Sequence, residues 1–119
     1  MTEAPERPTR EQLDAEMKRT AFQKKAVSRL PPAEVLDLAI AFFKERGYRS
    51  ALTGRPNQAF VMGGREGLLP RVTGEIVARK DVGRAGVTLV TLDAAGERLG
   101  QTMNEFYQEL RKRRTTGAS

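Results

Sequence analysis

The chain has 119 residues, the size of one ordinary domain with a single buried core. With 39% hydrophobic and 30% charged residues and a mean hydropathy of −0.53, it reads as a globular sequence, neither fibrous nor disordered for want of apolar residues. It contains no cysteine and no histidine, which excludes disulfides, thiolate nucleophiles, Cys/His metal cages and proton transfer through an imidazole.

Lysine and arginine number 21 against 15 acids, giving a net charge of +6 and an isoelectric point near 10.2, a balance that favours polyanionic partners. Arginine dominates the cations, so part of this excess is what a compositionally biased genome would also give. The excess is concentrated in residues 48–92, where seven cations face three acids. The opening MTEAPERPTRE has two prolines, several charges and no apolar stretch, so the expectation is neither a signal peptide nor a membrane span, and a cytoplasmic location.

Residues 1–9 are polar and proline-bearing and read as a mobile tail. Thr9 and Gln12 have the spacing of a capping box, and a helical arm is expected over residues 10–30. Its apolar stripe is poor: Leu13, Met17 and Ala21 step by four and then meet lysine. Acids open the arm and cations close it, an order that suits a helix dipole. Lys18, Lys25 and Arg29 fall on one helical face, and with Phe22 they make the arm a candidate for partner binding.

Pro31 and Pro32 end the arm and open a second helix that runs to Arg46 and stops at Gly47. Val35, Leu36, Ala39, Ile40, Phe42 and Phe43 give it a wide apolar face. From Tyr48 the period changes to two, with strands expected at 48–53, 58–62, 71–79 and 87–92. A final helix over 97–113 carries the stripe Leu99, Met103, Phe106 and Leu110. Residues 115–119 read as a second tail, so residues 31–114 form the domain proper.

The element order α-α-β-β-β-β-α predicts an α+β two-layer sandwich: a four-stranded antiparallel meander with helices on one face. Were Ala51, Ala59, Val61, Val77, Val90 and Leu92 to gather on the other face, it would be too apolar to stay wet. A homodimer or the arm would then cover it.

Several basic constellations are candidates for anion or nucleic-acid contact. Arg49, Arg71 and Arg79 can share the open sheet face by alternation, and Arg55, Arg65 and Arg84 lie in the loops between strands. Arg111, Arg113 and Arg114 end the last helix, where cations also simply satisfy the helix dipole. Gly64 to Gly67 has the spacing of a GXXG nucleotide clamp, but such a clamp sits between helices, and Glu66 opposes a phosphate; a plain hairpin connection is the better reading.

For catalysis, Glu75, the Glu105 and Glu109 pair, Tyr48 and Tyr107 are available, and none forms a diagnostic acid/base arrangement. The expectation is a non-enzymatic protein without metal or cofactor that binds nucleic acid through phosphates with little sequence specificity. The competing expectation is a homodimeric protein-interaction module that docks through the arm.

Overall fold

The structure is a computed structural model that describes residues 7–116. The two ends of the expected tails, residues 1–6 and 117–119, lie outside the described residues. The elements are α1 (Arg10–Arg19), β1 (Phe22–Ser28), α2 (Pro32–Glu45), β2 (Arg49–Leu52), β3 (Gln58–Gly63), β4 (Val72–Lys80), β5 (Thr88–Ala95) and α3 (Glu97–Thr116). They form one antiparallel sheet in the order β1-β5-β4-β3-β2, with α2 and α3 packed on it. The fold class is therefore the expected α+β one, with five strands in place of four.

The fifth strand comes from the second half of the expected arm. The capping box is present: the Thr9 hydroxyl accepts from the Gln12 N–H at 3.1 Å, and the Gln12 side chain accepts from the Thr9 N–H at 2.8 Å. The helix nevertheless stops at Arg19. Residues 22–28 then pair with β5, from Phe22 opposite Ala94 to Ser28 opposite Thr88. Phe22, Ala26 and Ser28 alternate toward the helices while Gln23 and Lys25 stay exposed, which is the period of a half-buried strand. Glutamine, lysine and alanine favour helix locally, but β5 would otherwise leave one edge of its backbone unpaired, and that tertiary demand prevails. Lysines at a sheet edge also discourage indiscriminate pairing with other chains. Hence Lys18, Lys25 and Arg29 do not share a helical face: Lys18 belongs to α1, Lys25 to β1, and Arg29 follows the strand.

Strands β2 to β5 make the expected meander. In register, Ala59, Val61, Ile76, Ala78, Val90 and Leu92 face the helices and are almost wholly buried. This corrects the grouping of apolar residues expected on the other face. Of that set only Ala51 and Val77 lie there, so the homodimer loses that argument.

Against the buried face α2 contributes Val35, Leu36, Ala39, Phe42 and Phe43, and α3 contributes Leu99, Met103, Phe106 and Leu110. The rings of Phe42, Phe43 and Phe106 meet pairwise with centroids 5.2–5.7 Å apart, in edge-on and tilted contacts that aromatic quadrupoles favour. Helix α3 lies across β1 and β5, with Gly100 over Phe22. It continues to Thr116, past the expected end at 113 and into the expected tail. Among the described residues no helix is long and apolar enough to cross a membrane.

Candidate nucleic-acid interface

The expected arginines are spread over the domain. Arg49 lies on the open sheet face in the row of Met62 and Thr73, whereas Arg79 lies six residues along β4 from Thr73, roughly 20 Å away. Arg71 precedes β4, and Arg55 sits in the β2–β3 turn. Arg84, in the β4–β5 loop, is held by Asp81 at 2.8 Å, so its charge is largely answered. The backbone N–H of Gly83 and the Arg84 guanidinium together hold the Asp81 carboxyl below its ordinary value.

Arg65 belongs to the glycine-bearing loop, whose acid has a structural task. The Glu66 carboxylate accepts from the backbone N–H of Arg98 in the first turn of α3. Glu16, Arg19, Glu97 and Arg98 gather beside it, with Arg19 2.9 Å from Glu16 and 3.7 Å from Glu97. Acids and bases alternate in this cluster, which leaves no net attraction for an anion at Arg65.

A different constellation forms where α3 passes β1. The Lys24 ammonium stands 5.3 Å from the centroid of the Tyr107 ring, and the Arg111 guanidinium stands 5.7 Å from the same centroid. Tyr107 is half-buried, while Lys24 and Arg111 are exposed. Lys24 is on the helix side of β1, opposite Leu92, between the half-buried Phe22 and Ala26; its long stem carries the charge out over the ring. Arg113 follows on α3, 3.4 Å from Glu109. The side chain of Arg114 lies outside the described residues.

A depression of about 410 Å³ is lined by Lys25, Val27, Arg79, Leu89 and Thr91 from the open face and by Tyr107 and Arg111 from α3. Since these belong to opposite faces of the sheet, the depression follows the outer edge of β1. A neighbouring hollow of about 430 Å³ takes Arg29, Lys80 and Arg84 together with Pro31 and Pro32 at the start of α2. The strand ends, the β4–β5 loop and the last turns of α3 thus bring Lys24, Lys25, Arg29, Arg79, Lys80, Arg111 and Arg113 to one end of the domain. Among the described residues the acids there are Asp81 and Glu109, both paired, and Glu34 and Asp37 on the outer side of α2.

Sequence reading missed Lys24 and Tyr107 as a pair, because their contact exists only if residue 24 is in a strand beneath α3. The broken stripe at Lys24 and Lys25 was the available signal.

No family model matches the chain, and no curated protein matches it. Among solved structures, the crystal structure of a Deinococcus radiodurans protein overlaps 82% of this chain and 99% of its own, with a TM-score of 0.46 and 11% identity. A likeness of that degree leaves function to the residues themselves.

The open sheet face carries the remaining polar groups. Glu75 and Asp93 are directly opposite each other on β4 and β5, and the Gln58 side-chain amide donates to Glu75. They floor a groove of about 650 Å³ lined also by Phe60, Thr73 and Ala95, with Met17, Lys18 and Ala21 at one end. Glu105 is 3.5 Å from Arg46 and Glu109 is paired to Arg113, so both candidate acids of α3 hold ion pairs at the surface. Among the described residues no group of three or more carboxylates is placed to hold a metal ion.

Proposed function

We propose that this protein binds single-stranded nucleic acid through its phosphates, with little sequence specificity, along the path formed by β1 and the C-terminal half of α3. The observation that carries this reading is the Tyr107 ring with two cations near it, Lys24 at 5.3 Å and Arg111 at 5.7 Å from its centroid. An aromatic face flanked by phosphate-reaching cations is the minimal unit of a single-strand platform. A base stacks on the ring while the neighbouring charges take the backbone, and every base offers a π-face, so sequence matters little. Lys25, Arg29 and Arg113 extend the positive path on either side. The net charge of +6 adds a long-range attraction that speeds encounter with a polyanion.

The test is fluorescence anisotropy with labelled single-stranded DNA and RNA, titrated at several salt concentrations. The paired change Lys24→Ala and Arg111→Ala should lower affinity and make the salt slope shallower by about 1.4, roughly 0.7 for each single-strand phosphate no longer neutralised. Tyr107→Leu should weaken binding by about 1–3 kcal/mol while leaving the slope nearly intact, because stacking releases no counterions. Arg65→Ala with Arg71→Ala, the same loss of two charges away from the platform, should weaken binding much less than the Lys24 and Arg111 pair. Absence of binding by the unaltered protein at about 0.15 M salt would sink the proposal.

A further inference from the structure

We infer that two copies of the chain meet through the open sheet face, about a two-fold axis that runs across the strands along the row of Val77 and Thr91. The starting point is a repulsion that no ion pair answers. Glu75 and Asp93 oppose each other in register, and like charges directly across a ladder destabilise a sheet. Gln58 donates a hydrogen bond to Glu75, but among the described residues no lysine or arginine forms an ion pair with either carboxylate. Lys18 lines the end of the same groove but makes no ion pair with either carboxylate, so the pair is open to a positive group from outside.

The complementary charge is on the same face. Arg79 is four residues beyond Glu75 on β4, and Val77 is midway, opposite Thr91. Successive same-face residues are about 6.6 Å apart along a strand. A two-fold axis through the Val77 and Thr91 row therefore lays the acid pair of each copy over Arg79 of the other, twice, as an isologous interface requires. Sheets stacked face to face are about 10 Å apart, a gap that glutamate and arginine side chains together span.

Of the apolar residues on this face, Val77 lies on the axis and meets its own copy, whereas the operation sets Leu89 over Asp93 and Val27 over Gln23 of the other. Val77, Leu89, Val27 and Phe60 are all only half-buried in one copy. The strands have 4 to 9 residues and average about 22 Å, so five of them about 4.8 Å apart give a footprint of roughly 500 Å² before side-chain relief, below the ~800 Å² per partner of a standard interface. The operation also carries the β4–β5 loop, with Val82 fully exposed at its tip, toward the end wall of the 650 Å³ groove, where Met17 is 46% exposed. Lys25 lies in the axis row but on the edge strand, and the roughly 30° rotation between packed sheets separates it from its copy. The Lys24, Tyr107 and Arg111 platform is on the helix side and stays open, whereas Lys25 and Arg79 of the candidate nucleic-acid interface lie on the face that pairs.

Sedimentation equilibrium on nuclease-treated protein, over about 1–100 μM, tests it with charge reversal. The unaltered chain should sediment at twice 13.2 kDa. Glu75→Arg alone and Arg79→Glu alone should each weaken dimerisation by about tenfold or more, since each sets like charges against each other at two places. The double variant Glu75→Arg/Arg79→Glu should restore the dimer, because the two-fold brings the swapped charges together again. Far-UV circular dichroism establishes that all three variants are folded. A monomer at every concentration overturns the inference, as does a dimer indifferent to either single change. So does a double variant no better than the singles, the result expected if the acid pair receives a basic segment of another protein.

Discussion

Gly74 on β4 and Met103 on α3 are in such close approach that a Cβ on the glycine would stand 2.6 Å from the methionine methyl. The same Cβ would lie 2.9 Å from the carbonyl oxygen of Asp93, which is backbone and has little room to move. Alanine should therefore push α3 off the sheet and cost about 1–3 kcal/mol, the range for overpacking a filled core. Urea unfolding of Gly74→Ala measures it. Adding Met103→Ala relieves only the side-chain contact, so it should not recover the stability, since it opens a cavity while the clash with the Asp93 carbonyl remains.

Helix α3 depends on a residue far from it in sequence. Its first turn follows Gly96, which has a φ of 113° and no side chain to offer the free amides. Glu66 accepts from the Arg98 N–H at 2.8 Å and brings a negative charge to the positive end of the helix dipole. Glu66→Ala should lower stability by about 0.5–2 kcal/mol, whereas Glu66→Gln should retain the hydrogen bond and lose only the charge contribution. Thermal unfolding of both variants at low and high salt separates the two: the gap between them should narrow as salt rises.

The dependence of stability on pH follows from two carboxylates. The hydrogen bond from Arg19 holds Glu16 below its ordinary value of 4.5, aided by the backbone N–H of Leu68. Gly83 and Arg84 do the same for Asp81, whose ordinary value is 3.8. A depressed folded-state pKa contributes stability that is complete above the unfolded value and is lost as pH falls through the folded one. The melting temperature should thus begin to fall below about pH 4.5. Glu16→Gln should flatten part of that fall; an unchanged acid slope in this variant would exclude Glu16 as a contributor. No histidine is present to add a transition between about pH 5 and 8.

Much of the frame was legible because local and tertiary preferences agree there. Helix α2 carries its proline start, glycine stop and apolar face in consecutive residues, and Val72, Ile76 and Ala78 alternate as the structure has them. Strand β1 was hidden because Gln23, Lys24, Lys25 and Ala26 suit a helix, and only the free edge of β5 makes them a strand. The candidate interface was half legible for the same reason. Arg111 and Lys25 stand out as cations in any reading, whereas the Lys24 and Tyr107 contact needs β1 to exist before it can be inferred. The glycine loop is the plain β3–β4 connection that its sequence favours, whereas the task of its acid, capping α3, is visible only once the two are brought together.

The placement of β1 also bears on the order in which the molecule assembles. The meander from β2 to β5 joins neighbours through short turns and can form from local contacts. Strand β1 has to wait for β5, and the hydrogen bond from the Gly96 N–H to the Thr20 hydroxyl closes a separation of 76 positions. Closing a loop of that length costs entropy before any contact offsets it, which favours a late, rate-limiting attachment of the first strand. Until it attaches, the free edge of β5 and the underside of α3 near Phe22 remain open. The chain is then most exposed to mispairing with its own kind, and two lysines in the missing strand cannot yet guard that edge.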